Sequence, residues 1–179
     1  MKKVLFAALM TIAVQGVFAQ VNKGQWLVGG SAGFESHKQG EAKVTEFTFS
    51  PNAGYFFIDK LAGGLRIDLA SAKAKGADDA NSAFLIAPFV RYYFLEAAQK
   101  VNVFADASYG FGSVKSDGES ASQNGFAVSA GPAVFLSPNT ALEFALQYRS
   151  MGGDAYGDDN LNTFGFKVGF QIHLGRGKK

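Results

Sequence analysis

The stretch Asn162–Leu174, NTFGFKVGFQIHL, alternates large apolar residues with small or polar ones. Alternate residues of an extended strand point to opposite faces, so the pattern predicts a strand with one apolar face. That face carries Phe164, Phe166, Val168, Phe170, Ile172 and Leu174. The other carries Gly165, Lys167, Gly169, Gln171 and His173. Such a strand must separate an apolar medium from a polar or tightly packed interior.

The same alternation recurs in seven earlier segments, which makes eight predicted strands in all. These segments are 24–36, 46–57, 61–70, 84–94, 101–112, 126–136 and 141–149. The connections alternate between short turns and long polar loops, so all long loops are expected at one end. The sequence therefore predicts an all-β fold, an eight-stranded antiparallel up-and-down β-barrel.

Three prolines fall inside predicted strands at similar places. Pro51, Pro88 and Pro132 each begin a related segment, PNAGYFF, PFVRYYF and PAVFLSP, on a strand that runs toward a short turn. Proline has no backbone N–H to donate to a neighbouring strand. We therefore expect a β-bulge at each of the three positions.

The first nineteen residues have the features of a secretory signal peptide. Lys2 and Lys3 precede an uncharged, largely apolar run from Val4 to Val14, and small or apolar residues end the segment at Ala19. The run is shorter than the roughly 20 residues that cross a bilayer, which disfavours a membrane anchor. We predict cleavage near Ala19 and a single barrel domain over residues 20–179.

Composition excludes several classes of protein. Without Lys2 and Lys3 the chain has 15 basic and 15 acidic residues, so a neutral mature protein gives no reason to expect a nucleic-acid partner. The absence of cysteine excludes a disulfide framework. The 18 phenylalanines argue against disorder and the 22 glycines against a helical bundle.

The polar face of the strands decides which medium surrounds the barrel. It consists mostly of Gly, Ala, Ser, Asn and Gln, which is too weakly charged for a water-exposed surface but suits the narrow lumen of eight strands. A Lys or Arg facing lipid near the midplane costs on the order of 2–4 kcal/mol, so the charges on this face should point inward and pair. This predicted lumen charge network comprises Glu35, Glu46, Arg66, Asp68, Arg91, Asp106, Glu143, Arg149 and Lys167.

Aromatic residues with a polar atom lie near the ends of the predicted strands. Such rings prefer the boundary between lipid headgroups and hydrocarbon. The predicted aromatic girdle consists of Trp26, Tyr55, Tyr92, Tyr109 and Tyr148.

On these segments the chain resembles the small eight-stranded outer-membrane β-barrel proteins of Gram-negative bacteria, of the OmpX or OmpA-barrel kind. It looks most like the Bacteroidetes members called outer membrane β-barrel domain or porin family proteins. The resemblance rests on VFAQ, SPNAGYFFIDKLAGGLRIDL, PFVRYYF, FADASYGFG, AGPAVFLSPNTALEFAL and the final strand. These segments cover most of the mature chain and specify a fold rather than an activity.

The resemblance implies a structural or surface-interaction protein, with short periplasmic turns and external loops. Its expected partners are outer-membrane lipid, lipopolysaccharide and, during biogenesis, the barrel-assembly machinery, and we expect a monomer without cofactor, metal or catalytic residues. The final strand is similar to the signal that this machinery recognises, carried here by Lys167, Gly169, Ile172 and Leu174. Leu174 replaces the usual aromatic residue, and a basic tail, 175–179, follows it.

Three alternatives remain at this stage. A lipid-modifying enzyme would need a nucleophile beside a histidine, and the only histidines are His37, next to Ser36, and His173. A small-solute pore would need an open lumen, which eight strands do not leave. A soluble lipocalin-like barrel would place the apolar face inside. The side-chain oxygens of Asp154, Asp158, Asp159 and Asn160 in the last loop could bind calcium, although their spacing matches no calcium loop.

Overall fold

The computed structural model describes residues 21–39, 42–74, 81–116, 118–157 and 159–175. The side chains of 35–39, 42–44 and 73–74 are outside this description, as are the predicted signal peptide and the end of the basic tail. Within the described residues, no helix is long and apolar enough to cross a membrane.

The chain forms eight antiparallel strands, each paired with its neighbours in sequence. They are β1 (Trp26–Gln39), β2 (Ala42–Ile58), β3 (Leu61–Ala74), β4 (Asn81–Tyr93), β5 (Val101–Ser116), β6 (Glu119–Ser137), β7 (Thr140–Gly152) and β8 (Leu161–Leu174). Strand β8 also pairs with β1, from Trp26 opposite Leu174 to Phe34 opposite Phe166. The sheet is therefore a closed barrel, and the predicted fold class is confirmed.

The alternation predicted for Asn162–Leu174 separates an outer from an inner face. Phe164 and Phe170 are 78% and 42% exposed, whereas Lys167 and Gln171 are 7% and 1% exposed. On the other strands too, the exposed large apolar side chains alternate with buried ones and form the outside of the barrel. A wall that is apolar on the outside is the arrangement of a barrel in a membrane.

The three prolines interrupt pairing, but the expected bulges are absent. Each proline is paired with the preceding strand but not with the following one. Pro51 of β2 has no paired residue on β3, Pro88 of β4 none on β5, and Pro132 of β6 none on β7. The register is the same on both sides of each gap, so no residue is inserted. A lost donor removes a pair without requiring an extra residue. The register shifts that do occur lie between Phe56 and Ile58 and between Phe135 and Ser137, beside the tight turns.

The predicted division into long and short connections is partly wrong. Strands β5 and β6 continue through most of the segment expected to be a loop, so that only residues 117 and 118 separate them. Strands β1 and β2 are similarly extended to Gln39 and from Ala42. Backbone pairing does not need apolar side chains, so a ladder can continue where the apolar alternation ends. At the opposite end, residues 94–100 connect β4 to β5, within one residue of the predicted connection over 95–100.

One end of the barrel carries the beginning of β1, the end of β8 and two tight turns. Trp26 pairs with Leu174, and the two-residue connections 59–60 and 138–139 lie at this end. The segment that precedes β1 is held here, because Lys60 N donates to Val21 O at 2.8 Å and Lys23 N to Asp59 Oδ1 at 2.8 Å. We call this the turn end and the opposite one the loop end.

The lumen as candidate functional site

The centre of the lumen contains a connected set of buried ion pairs. Arg66 Nη2 donates to both carboxylate oxygens of Asp106, at 2.8 and 2.9 Å. Arg91 joins two carboxylates, with Nε 3.1 Å from Asp106 Oδ2 and Nη1 2.9 Å from Glu143 Oε2. We call these four residues the ion-pair layer. Strands β3, β4, β5 and β7 each contribute one of them, so the layer ties four strands together across the lumen.

Each charge in the ion-pair layer has a compensating partner. All four side chains are at most 4% exposed, and a buried charge is stable only when it is paired and hydrogen-bonded. Phe89 adds to this, because the guanidinium carbons of Arg66 and Arg91 lie 5.1 and 5.9 Å from the centre of its ring. A cation over an aromatic face is favourable, and more so when it is desolvated.

A second layer, made of aromatic rings, fills the lumen toward the turn end. It consists of Phe56, Tyr93, Phe104, Phe135 and His173, all at most 3% exposed. His173 lies at its centre, with ring centroids 5.3 Å from Phe135, 5.7 Å from Phe56 and 5.9 Å from Tyr93. Val21, which precedes β1, is fully buried in the same cluster. We call this set the aromatic layer.

Tyr93 connects the two layers. Its hydroxyl donates to Glu143 Oε1 at 3.0 Å, while its ring lies 6.1 Å from that of Phe104. Gly169 faces Glu143 from β8, and a Cβ at that position would lie 3.3 Å from Glu143 Oε2. Glycine therefore leaves room for the carboxylate on the strand beside it.

The remaining charges of the predicted network occupy different places. Glu46 accepts a hydrogen bond from Arg149 Nη2 at 2.6 Å, closer to the loop end than the ion-pair layer. Lys167 is buried, and Asp68 Oδ1 is buried without a hydrogen-bond partner among the described residues. Glu35 belongs to β1, but its side chain is outside the described part.

The residues of the predicted assembly signal and of the predicted aromatic girdle all lie in strands. Lys167 and Gly169 face the lumen, Ile172 is half-buried and Leu174 is exposed at the end of β8. Trp26, Tyr55 and Tyr92 face outward near the turn end, and Tyr109 and Tyr148 face outward near the loop end. The recognition of the first set by the assembly machinery and the contact of the second set with lipid headgroups remain predictions.

Nothing in the described part of the chain forms a metal site or a nucleophile–histidine pair. No group of three or more His, Asp or Glu side chains is arranged to bind a metal among the described residues. Asp154 Oδ2 accepts a hydrogen bond from Ser122 Oγ at 2.7 Å, and Asp158 is outside the description. His173 is enclosed by rings, while the side chains of Ser36 and His37 are not described. In the same connection as Asp154, burial raises the pKa of the Tyr156 phenol, which donates to Gln123 Oε1 at 3.2 Å.

Sequence reasoning missed the aromatic layer. Tyr93 has the same parity as the inward-facing Arg91, and Phe104 the same parity as Asp106, so the alternation itself points them inward. The predicted lumen network was selected by charge, so these inward-facing rings were not part of it.

The sequence matches the family described as "Outer membrane protein beta-barrel domain" over residues 4–171. The chain belongs to this family. Membership of the outer membrane protein β-barrel family supports an outer-membrane location. The comparison with curated proteins finds no match.

Solved structures with the same fold are small outer-membrane barrels. Neisserial surface protein A (NspA) is 19% identical with a TM-score of 0.65, covering 85% of this chain and 98% of its own. OprG of Pseudomonas aeruginosa is 14% identical with a TM-score of 0.56, covering 90% and 100%. The N-terminal β-barrel domain of OprF from P. aeruginosa is 12% identical with a TM-score of 0.53, covering 85% and 98%. At these identities the likeness establishes the fold alone.

Proposed function

We propose that this member of the outer membrane protein β-barrel family is a closed, non-conducting barrel. Its role is structural, or lies in surface interaction through the connections at the loop end, which would face outward from the cell. The observation that carries the proposal is the lumen itself, which two successive layers of buried side chains fill.

The two layers close the lumen by different physical means. The ion-pair layer links β3, β4, β5 and β7 through guanidinium–carboxylate contacts of 2.8–3.1 Å. An ion or solute crossing it would have to displace buried, charge-assisted hydrogen bonds. The aromatic layer then adds five buried rings, each with its centre 5.3–6.1 Å from that of at least one other. This supports a plugged lumen over a small-solute pore.

The surroundings of His173 argue against a catalytic role for this histidine. A catalytic histidine must reach a nucleophile and a substrate. His173 instead stacks on Phe135 and is fully buried at the turn end. The apolar outer wall likewise opposes a lipocalin-like soluble barrel, whose apolar residues would line its interior. Monomeric behaviour, a Bacteroidetes origin and contact with the assembly machinery remain predictions.

Outer-membrane placement is tested by fractionation. Because the outer wall from Trp26 to Phe164 is apolar, we expect the mature protein to sediment with outer membranes after export. We also expect an unheated sample to migrate differently on a denaturing gel from a boiled one, since a closed barrel resists detergent. A soluble periplasmic protein of normal mobility would refute this placement.

Conductance tests the closed lumen. In planar bilayers the purified, folded protein is expected to give no stable, reproducible current steps, while a general porin in the same bilayer gives them. Folding is checked by the gel shift before insertion. Discrete steps that recur between preparations would show that the two layers do not close the lumen.

A further inference from the structure

On the loop-end side of the ion-pair layer, the lumen is lined by polar side chains. Each lies two or four residues along its strand from a member of that layer, or from Gly169 beside Glu143, so alternation points it inward as well. These side chains are Asp68 of β3, Ser108 of β5, Gln147 of β7 and Lys167 of β8. Beyond them lies the Glu46–Arg149 pair, whose side chains are 12% and 13% exposed, so solvent reaches it from the loop end.

Small residues leave room between these polar side chains. Gly33 pairs with Lys167, Gly165 with Gln147 and Ala127 with Ser108, and residues paired across two strands share a face. All three therefore border the lumen and contribute at most a methyl group to it. We call the space between the ion-pair layer and the Glu46–Arg149 pair the polar chamber.

Lys167 brings a positive charge into the polar chamber. The residue is 7% exposed, and its amine makes no ion pair or hydrogen bond with any described residue. Its stem lies over Gly33, where an added Cβ would be 3.5 Å from Lys167 Cγ and 3.8 Å from Thr48 Cβ. The amine is therefore directed across β1 toward β2. A buried cation without a partner is costly, so this amine needs an acceptor.

Asp68 brings a negative charge into the same space. Its Oδ1 is buried without a hydrogen-bond partner among the described residues. The register places Asp68 opposite Ser50 of β2, two residues from Thr48, in the gap that Pro51 leaves in the pairing. The carboxylate thus lies on the strand next to the one that the Lys167 amine approaches.

Two further polar groups beside Asp68 have no partner among the described residues. Ser50 Oγ is buried without a hydrogen bond, and so is Arg66 Nε, although Arg66 Nη2 binds Asp106. The polar chamber therefore offers two cationic donors, a carboxylate acceptor and a hydroxyl group.

The charges of these groups select the kind of molecule that fits them. An anion would pair with Lys167 but would be repelled by Asp68, and for a cation the signs are reversed. Water can bridge buried polar groups but brings no charge to either of them. A molecule with both a carboxylate and an ammonium group can make a charge-assisted hydrogen bond to each side chain, and such bonds are the strong ones.

We propose that the polar chamber binds a small zwitterion of the size of an α-amino acid. The carboxylate of the ligand lies at Lys167 and its ammonium group lies at Asp68. The ligand enters from the loop end, and the ion-pair layer forms the floor on which it stops. This adds a ligand site to a barrel whose proposed role requires none.

The test compares three probes on the folded, full-length protein in mild detergent. Glycine carries both charged groups, while acetate and methylammonium carry one each. Titrations followed by the NMR signals of the probes give three dissociation constants. Because each half-ligand lacks one charge-assisted hydrogen bond, we expect glycine to bind saturably and about tenfold or more tightly than either of them.

Two variants assign the two charges separately. Asp68→Asn should bind glycine no more tightly than acetate, and Lys167→Met should bind it no more tightly than methylammonium. The matched controls Asp159→Asn and Lys115→Met change exposed charges near the loop end and should bind glycine as the unmodified protein does. If Lys167→Met does not fold, Asp68→Asn and the comparison of the three probes decide the matter.

Three results would overturn the proposal: no saturable binding of glycine, equal binding of the three probes, or an unchanged preference for glycine in Asp68→Asn. The first would assign the polar chamber to water alone. Failure of the closed-lumen proposal is distinguishable, because current steps report passage through the two layers, whereas these titrations report binding with no membrane to cross.

Discussion

Replacing Glu143 with Gln should lower the free energy of unfolding by about 3–5 kcal/mol, the usual cost of breaking a buried ion pair from one side. Glu143 accepts hydrogen bonds from Arg91 Nη1 at 2.9 Å and from Tyr93 OH at 3.0 Å. Without its charge, two guanidinium groups would share Asp106 as the carboxylate of the ion-pair layer. The measurement is urea unfolding in lipid vesicles, followed by the fluorescence of Trp26, the single tryptophan.

The matched control for this variant is Glu96→Gln. Glu96 also accepts a hydrogen bond from a cation, Lys60 Nζ at 2.6 Å, but its side chain is 78% exposed. Water solvates both groups when this pair is lost, so a much smaller change is expected. Equal effects of the two substitutions would show that the ion-pair layer contributes no more than a surface contact.

Replacing His173 with Leu should have the opposite sign and raise the free energy of unfolding by about 1–3 kcal/mol. The side chain is fully buried, and neither Nδ1 nor Nε2 has a hydrogen-bond partner among the described residues. A buried polar group without a partner loses its hydration and gains nothing in return. Leucine keeps the contacts with Phe56 and Phe135 and removes that cost.

Asn102→Leu is the matched control, because Asn102 is as buried as His173 but its side chain is hydrogen-bonded. Asn102 is also fully buried near the turn end, but its Oδ1 accepts from Leu95 N at 2.9 Å and its Nδ2 donates to Leu95 O at 3.2 Å. This substitution leaves those backbone groups without their hydrogen-bond partners, so the same urea titration should show a lower free energy of unfolding. If His173→Leu destabilises as much, then the imidazole has a partner that its surroundings do not reveal.

Most of the barrel could be predicted from the chain because its two-residue period is repeated in every strand. Which residues share a face follows from that period, as Phe164 and Lys167 of β8 show by their opposite exposure, and the composition of the polar face indicates which face meets lipid. Strand ends were less predictable. Ser113 to Gln123 lack large apolar residues apart from Val114, yet they are mostly paired, because backbone hydrogen bonds between β5 and β6 do not depend on side-chain polarity.

The lumen was only partly predictable. Alternation indicates that Arg66, Arg91, Asp106 and Glu143 face inward, but not which of them meet. Arg91 and Glu143 are separated by 52 positions, and their contact depends on the stagger and closure of eight strands. The aromatic layer depends on closure in the same way, because it assembles rings from the ends of β2, β4, β6 and β8 and the beginning of β5.

By itself, then, the sequence determined the strand count, the all-β class and the apolar outer face, since these depend on local spacing along each strand. Only the tertiary structure decided the pairing of charges into one layer and the enclosure of His173 by rings. Each of these brings together residues from different strands, and their relative heights are set by the register between strands rather than by the residues within any one of them.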